Sequence, residues 1–315
     1  LKVSQDTADT TNTAPQPEPW EWWTLLSVSL LGLLLITYAI AFLRLGTISL
    51  YAHGLGIPAM GVLTVPLMFM GLLRTIFRPP AIRRSRTIAF VALIIVGFLG
   101  NTPLFPAPTS TADWKSTHSY RLPMDGEWVT LAGGSDMDTN YHSTTAAYRW
   151  GYDFGKVQDG KKFKLDGGRA EDYFAFGQPV LAPVEGKIKA VETGLSDNVP
   201  GQYESAALGN FIMIEVEPDE YLFLAHLKSD SVTVRLGEVV KKGQVIAAVG
   251  NSGRTLEPHL HVHLQNTAEF PFSESLPLRF SNYSANGKHV DLGMPLGSLI
   301  WDAPEGERVA QEPVQ

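Results

Sequence analysis

Eight histidines occur in this 315-residue chain, and three fall within five positions of one stretch, Glu257-Pro258-His259-Leu260-His261-Val262-His263-Leu264. They alternate with aliphatic residues, which is strand periodicity, so all three imidazoles leave one face. Neighbours on that face sit about 6.6 Å apart, and the outer pair about 13 Å apart. A zinc–nitrogen bond is only about 2.0–2.1 Å long, so a single strand cannot readily hand three rings to one ion. The pattern fits one metal ligand here, a neighbouring histidine acting on bound water, and further ligands from elsewhere. An exposed polar strand face is the bland counterpart, and it leaves the clustering of so scarce a residue unexplained.

The elements that would position these rings are short strands and turns. Tyr148-Arg149-Trp150-Gly151-Tyr152-Asp153-Phe154 favours a strand, with Asp153 facing opposite to its two aromatic neighbours. Strand patterns recur at 177–188, 210–216, 221–227 and 237–246, and Asn251-Ser252-Gly253 turns the chain before the histidines. Residues 155–176 and 194–208 read as loops that set specificity. No stretch in 125–275 keeps helical periodicity over three turns, so a mostly antiparallel β domain is expected.

The N-terminal third is different. Residues 24–43, 54–73 and 87–105 are uncharged and mostly apolar, and each is about 30 Å long as a helix, enough to cross a hydrocarbon core. Three transmembrane helices are expected, the second interrupted by Pro58 and Pro66, with Trp20, Trp22 and Trp23 as an interfacial belt. Arg74, Arg78, Arg83, Arg84 and Arg86 separate the second run from the third, whereas only Arg44 follows the first. The positive-inside rule places that arginine-rich loop in the cytoplasm and everything after about Pro106 outside it. The expected order is a disordered tail (1–23), a membrane domain (24–105), a linker (106–127), the β domain (128–302) and a frayed C-terminal tail (303–315). The absence of cysteine fits an envelope protein without disulfides, and a net charge of −7 argues against a nucleic-acid binder. The lipid bilayer is the one partner this half implies, and nothing identifies a regulatory membrane partner.

Taken in order, Asp153, Gly177-x-Pro179-Val180-x-Ala182-Pro183-x-x-Gly186, Gly209-Asn210, Ala225-His226-Leu227, Gly237-x-x-Val240-x-x-Gly243-Gln244, Gly250-Asn251-Ser252-Gly253 and Pro258-His259-Leu260-His261 form a series. It resembles the lysostaphin/LytM-type zinc endopeptidases, over about residues 140–265. The resemblance implies a compact antiparallel sheet with one zinc ion in a groove, and hydrolysis of peptide bonds in peptidoglycan. It implies Asp153 and His261 as zinc ligands, and His226 and His259 as the histidines that move protons and stabilise the oxyanion. It also matches Asn210 to a position near the groove, where a turn-forming asparagine serves equally.

One position departs from the pattern. The family commonly has histidine four residues before the aspartate, where this chain has Arg149, and a guanidinium offers no lone pair. His142, in Asn140-Tyr141-His142, resembles the arrangement in a subset of the family and is the replacement ligand. Arg149 is left to bind a substrate carboxylate or to pair with a surface acid. His263 stands where relatives often carry a carboxylate or another polar residue, with second-sphere support and solvent exposure both open. His53, His118 and His289 have no partner spacing. Two other readings compete. In one, a degenerate domain of the same fold binds or activates other wall enzymes, as the missing histidine at 149 permits. In the other, a biotinyl- or lipoyl-type carrier barrel is formed, but no lysine stands at a suitable hairpin tip.

Overall fold

A computed structural model describes residues 20–78, 83–101, 107–298, 300 and 305–313. The expected tail before Trp20 and the end of the third apolar run lie outside these residues. The described residues fall into two compact units, one within Leu1–Thr37 and Gly56–Pro103, the other within Tyr38–Leu55 and Leu104–Gln315.

Three helical stretches are long and apolar enough to cross a membrane, Trp22–Phe42, Thr47–Phe77 and Arg84–Asn101. The first is α1 (Trp22–Phe42). The second consists of α2 (Thr47–Tyr51), one π-helical turn at Ala52–Gly56 and α3 (Ile57–Phe77), and the third is α4 (Arg84–Asn101). Pro58 sits in the first turn of α3, directly after the π-helical turn, and Pro66 is carried inside the helix. Small residues let α3 and α4 touch: a Cβ on Gly100 would lie 2.5 Å from the Gly61 Cα. Trp20 and Trp22 are exposed as an interfacial belt requires, but Trp23 is buried and its indole N–H donates to the Leu67 carbonyl at 2.8 Å.

The second unit carries the strands β1 (Glu127–Ala132), β2 (Tyr152–Gly155), β3 (Pro179–Leu181), β4 (Gly186–Glu192), β5 (Asn210–Glu217), β6 (Glu220–Leu227) and β7 (Val239–Val240). They continue with β8 (Val245–Ala248), β9 (Leu260–Gln265), β10 (Ser275–Leu276), β11 (Phe280–Ala285), β12 (Lys288–Gly293) and β13 (Arg308–Gln311). The large sheet runs β12-β11-β13-β1-β2-β9-β6-β5-β4-β7, with β10 on β9, while β3 and β8 form a separate pair. Its pairings are antiparallel, and among the described residues the only helices after Asn101 are single 3-10 turns. The expected class therefore holds: three apolar N-terminal helices, then a mostly antiparallel β domain.

Register does the positioning. Asp153 on β2 pairs across to His261 on β9, and His261 pairs on its other side with Ala225 on β6, one residue before His226. Beneath them Tyr152, Phe154, Leu224, Leu260 and Val262 fill the core. Two stretches differ from expectation. Residues 107–124 are fastened to the β domain: Tyr120, Leu122 and Met124 are buried in its core, Ser110 N–H donates to Glu274 at 2.9 Å, Thr111 Oγ1 to the Ser275 carbonyl at 2.7 Å, and Tyr120 OH to the buried Glu220. The C-terminal residues 308–311 are not frayed, because Val309 is fully buried and β13 pairs with both β1 and β11.

Candidate metal centre and active site

Asp153 is almost completely buried, and its ion-pair partners are all histidines. His261 Nδ1 lies 2.8 Å from Oδ1, His259 Nε2 3.5 Å from the same oxygen, and His142 Nε2 3.4 Å from Oδ2. The Tyr141 hydroxyl also donates to Oδ2. Asn140 builds this corner from the upstream chain. Its side-chain oxygen accepts from the His142 N–H, and its amide donates to the carbonyls of Gly134, Arg149 and Gly151. Eleven residues thus separate His142 from Asp153 in sequence but not in space.

Burial holds His142 down at about 4, although the Asp153 carboxylate pulls the other way, and it holds His226 at about 3, reinforced by His259 and His261. His263 lies well below the usual range for the same first reason. Burial alone would raise Asp153, but the neighbouring His142, His259 and His261 rings keep it well below the usual carboxylate range. The result is a sunken carboxylate beside His142, a ring that favours the neutral form, and among the described residues no lysine or arginine is ion-paired with it. His142, Asp153 and His261 each offer a ligand atom, all within 4.8 Å of one another. Ligands about 2.0–2.1 Å from a tetrahedral zinc ion stand about 3.3 Å apart, so two imidazoles and a carboxylate in this spacing fit a divalent cation.

The other two rings present usable nitrogens. His226 Nδ1 faces the Ser252 carbonyl at 2.9 Å, and His259 Nδ1 faces the Glu257 carbonyl at 2.9 Å and the Thr255 hydroxyl at 3.2 Å. A carbonyl only accepts, so each Nδ1 carries the proton and each Nε2 keeps a lone pair in the neutral ring. The two rings are 4.9 Å apart between centroids. His226 holds a left-handed backbone, φ 58, which costs a side-chain-bearing residue of order 1 kcal/mol. It is clamped there by its N–H to the Leu208 carbonyl and by the Gly250 N–H to its own carbonyl.

These rings line a cavity of about 690 Å³ together with Tyr141, Tyr148, Tyr203, Leu208, Arg254 and Phe270. Loop 194–208 contributes Tyr203, Ala207 and Leu208 to the wall, whereas 155–176 contributes nothing. Asn210 is not in the wall: its amide is spent on both backbone groups of Leu195 and on the Leu227 carbonyl. Arg149 is absent too, its guanidinium donating to the Ala107 carbonyl. A substrate role and a structural one were both open for these two residues, and both brace backbone. His263 is fully buried rather than exposed, stacked on Phe223 with centroids 4.7 Å apart. Tyr141, Thr255, Gln265 and Arg254 were not singled out from sequence. Only Gln265 carried a signal, since it continues the alternation of His261 and His263.

A buried His-Asp-His cluster beside two imidazoles in a β-walled cavity has the donor set of a divalent-cation site. Residues 169–272, a third of the chain, match Peptidase family M23. The match takes in His226, His259 and His261 and begins downstream of His142 and Asp153. An uncharacterized metalloprotease of Haemophilus influenzae is 31% identical over 103 residues, which make up 32% of this chain and 19% of that protein. The chain therefore spans only about a fifth of the length of that relative. Among solved structures, the catalytic domain of the prophage-encoded M23 protein EnpA from Enterococcus faecalis is similar at 19% identity, covering 55% of this chain and 94% of its own, with a TM-score of 0.33. A zinc containing peptidase from Vibrio cholerae is similar at 22% identity over 51% of this chain and 40% of its own, TM-score 0.33. Lysostaphin from Staphylococcus simulans follows at 23% identity over 51% and 52%, TM-score 0.29.

Proposed function

We propose that this chain is a membrane-anchored zinc metalloendopeptidase that hydrolyses peptide bonds in peptidoglycan on the outer side of the cytoplasmic membrane. The observation that carries the reading is the meeting of His142, Asp153 and His261 beside His226 and His259, five residues from four separate places in the sequence. His142, Asp153 and His261 would hold the ion. Bound there, zinc supplies Lewis-acid polarisation and lowers the pKa of water to about 7.

This chain's own residues do the rest. His259 Nε2, its Nδ1–H fixed on the Glu257 carbonyl, accepts the proton of the attacking water. The ring is then a donor at both nitrogens and returns that proton to the leaving amine. His226 stands beside that ring with the same polarity, its Nδ1–H on the Ser252 carbonyl, so that its Nε2 accepts a hydrogen bond from the attacking water and orients it.

Arg149 in the usual ligand place favours a degenerate binding module as the second reading, and the packing of His142 against Asp153 speaks against it. Zinc content and peptidoglycan hydrolysis by the detergent-solubilised full chain separate them. One ion per chain with release of peptides supports the enzyme. A chain that folds, takes up no zinc and releases nothing is the binding module.

A further inference from the structure

Arg254 is the one cationic side chain among the described residues lining the catalytic cavity. Asp153 is the other formally charged group there, and it belongs to the metal cluster. The remaining walls are neutral, with Tyr148, Tyr203, Leu256 and Phe270 prominent. Arg254 is exposed to the cavity's solvent, and among the described residues none of the ion pairs includes it. In a chain of net charge −7, an arginine in a groove without an acid beside it is a local reversal of sign.

Its backbone is held firmly. The Arg254 N–H donates to the Ala206 carbonyl at 2.9 Å. Gly253 before it has φ +80 and no room for a side chain, since a Cβ would lie 2.4 Å from Gly209. Thr255 after it is buried and bridges the Glu257 carbonyl and His259 Nδ1. The guanidinium therefore springs from the residue next to one that touches the proposed proton-transfer ring. A guanidinium is permanently charged and presents paired N–H donors that match a carboxylate in two-point fashion.

We propose that Arg254 binds a free carboxylate of the substrate within about two residues of the scissile bond, so that the cavity selects acidic peptides. This deepens the peptidase reading of the cavity and rests on it. The expected consequence is discrimination against the same peptide with that carboxylate amidated, expressed in KM rather than in kcat.

The test uses the full chain in detergent, zinc-loaded, with two peptides that differ only in amidation of the carboxylate. Cleavage and calorimetric binding are measured for wild type, Arg254→Gln, Arg254→Lys and Arg254→Glu, with zinc content as the check on folding. Wild type is expected to favour the acid form by about tenfold or more, the yield of one charge-assisted contact. The acid-over-amide ratio falls towards one in Arg254→Gln, is partly kept in Arg254→Lys and is inverted in Arg254→Glu. Equal handling of the two peptides by wild type, a preference that survives Arg254→Gln, or no binding of the acid peptide overturns the inference. Preferential, Arg254-dependent binding without cleavage keeps it and sinks the peptidase reading. Cleavage of both peptides alike does the reverse.

Discussion

A buried imidazole has one lone pair to give, and its neighbours decide which nitrogen keeps it. His261 Nε2 lies 3.0 Å from His263 Nδ1, His263 Nε2 lies 3.0 Å from Gln265 Oε1, and the Gln265 amide donates to the Thr267 carbonyl at 2.6 Å. The last bond fixes the amide, so His263 Nε2 donates, neutral His263 accepts at Nδ1, and His261 carries its proton on Nε2. Its Nδ1 is thereby aimed at Asp153 as a ligand. His263→Phe, which keeps the stack on Phe223, is expected to weaken zinc affinity about 10–100-fold in a folded chain, measured by competition with a chelating dye. His142→Ala should lose stoichiometric zinc and at least about 100-fold in hydrolysis, whereas Arg149→Ala keeps its zinc; a fully active His142→Ala removes that residue from the ligand set. Acid adds a third expectation for the metal-free chain. His142 and His226 bind fewer protons folded than unfolded, so their neutral forms favour the fold above about pH 6.5. That stability falls as pH drops from about 6.5 towards 4 and 3, by about 3 kcal/mol for His142 alone. Asp153, depressed in the fold, loses its contribution in the same direction at lower pH still. Fluorescence of Trp128 and Trp150 during acid titration with chelator present checks this, and a flat response between pH 7 and 4 contradicts it.

At the scale of elements, much of the β domain could be read because its signal is local. Alternation marked β9, the aromatic run marked β2, and the ordered glycines marked the turns between β3 and β8. What could not be read depends on single long-range partners. The stretch 107–124 is tied down by partners a hundred residues or more away, Glu220 and Glu274, and by the burial of Tyr120, Leu122 and Met124 in the core. Asn210 and Arg149 carried suitable chemistry, but whether an amide or guanidinium meets substrate or backbone is decided by which carbonyls the fold leaves open. Arg254 gave no signal because an isolated arginine in a loop looks like any surface charge until the cavity closes round it. The helices show the same division: length and hydropathy were legible, their contact was not. Gly61 and Gly100 lie within two apolar runs and become meaningful only as the place where α3 meets α4. Gly100→Leu is expected to destabilise that pair by about 1–3 kcal/mol, visible as earlier proteolysis within the helices on warming in detergent. Gly32→Leu, where a Cβ meets nothing within 4 Å, is the matched control and should behave as wild type.

For the whole molecule the decisive question is which side of a bilayer the β domain faces, because a wall hydrolase on the inner side has no substrate. Glu21, beside the start of α1, takes a 3.3 Å contact from Arg74 near the end of α3, and 2.8 Å and 3.2 Å contacts from Arg86 in the first turn of α4. Arg86 is nearly inaccessible and also donates to the Arg78 carbonyl. One acid thus gathers the start of α1, the end of α3 and the start of α4 into a single basic cluster, which is what three alternating crossings demand. Arginines are retained on the cytoplasmic side, so an odd number of crossings would deliver residue 107 and all that follows to the other side. The chain has no cysteine to confuse the experiment. In intact cells a membrane-impermeant maleimide is expected to label Lys115→Cys, exposed beside the β domain, and to leave Arg84→Cys, exposed at the basic cluster, unmodified until the membrane is opened. Reversed labelling would put the cavity in the cytoplasm, and the peptidoglycan reading would fall even if every zinc ligand were correct.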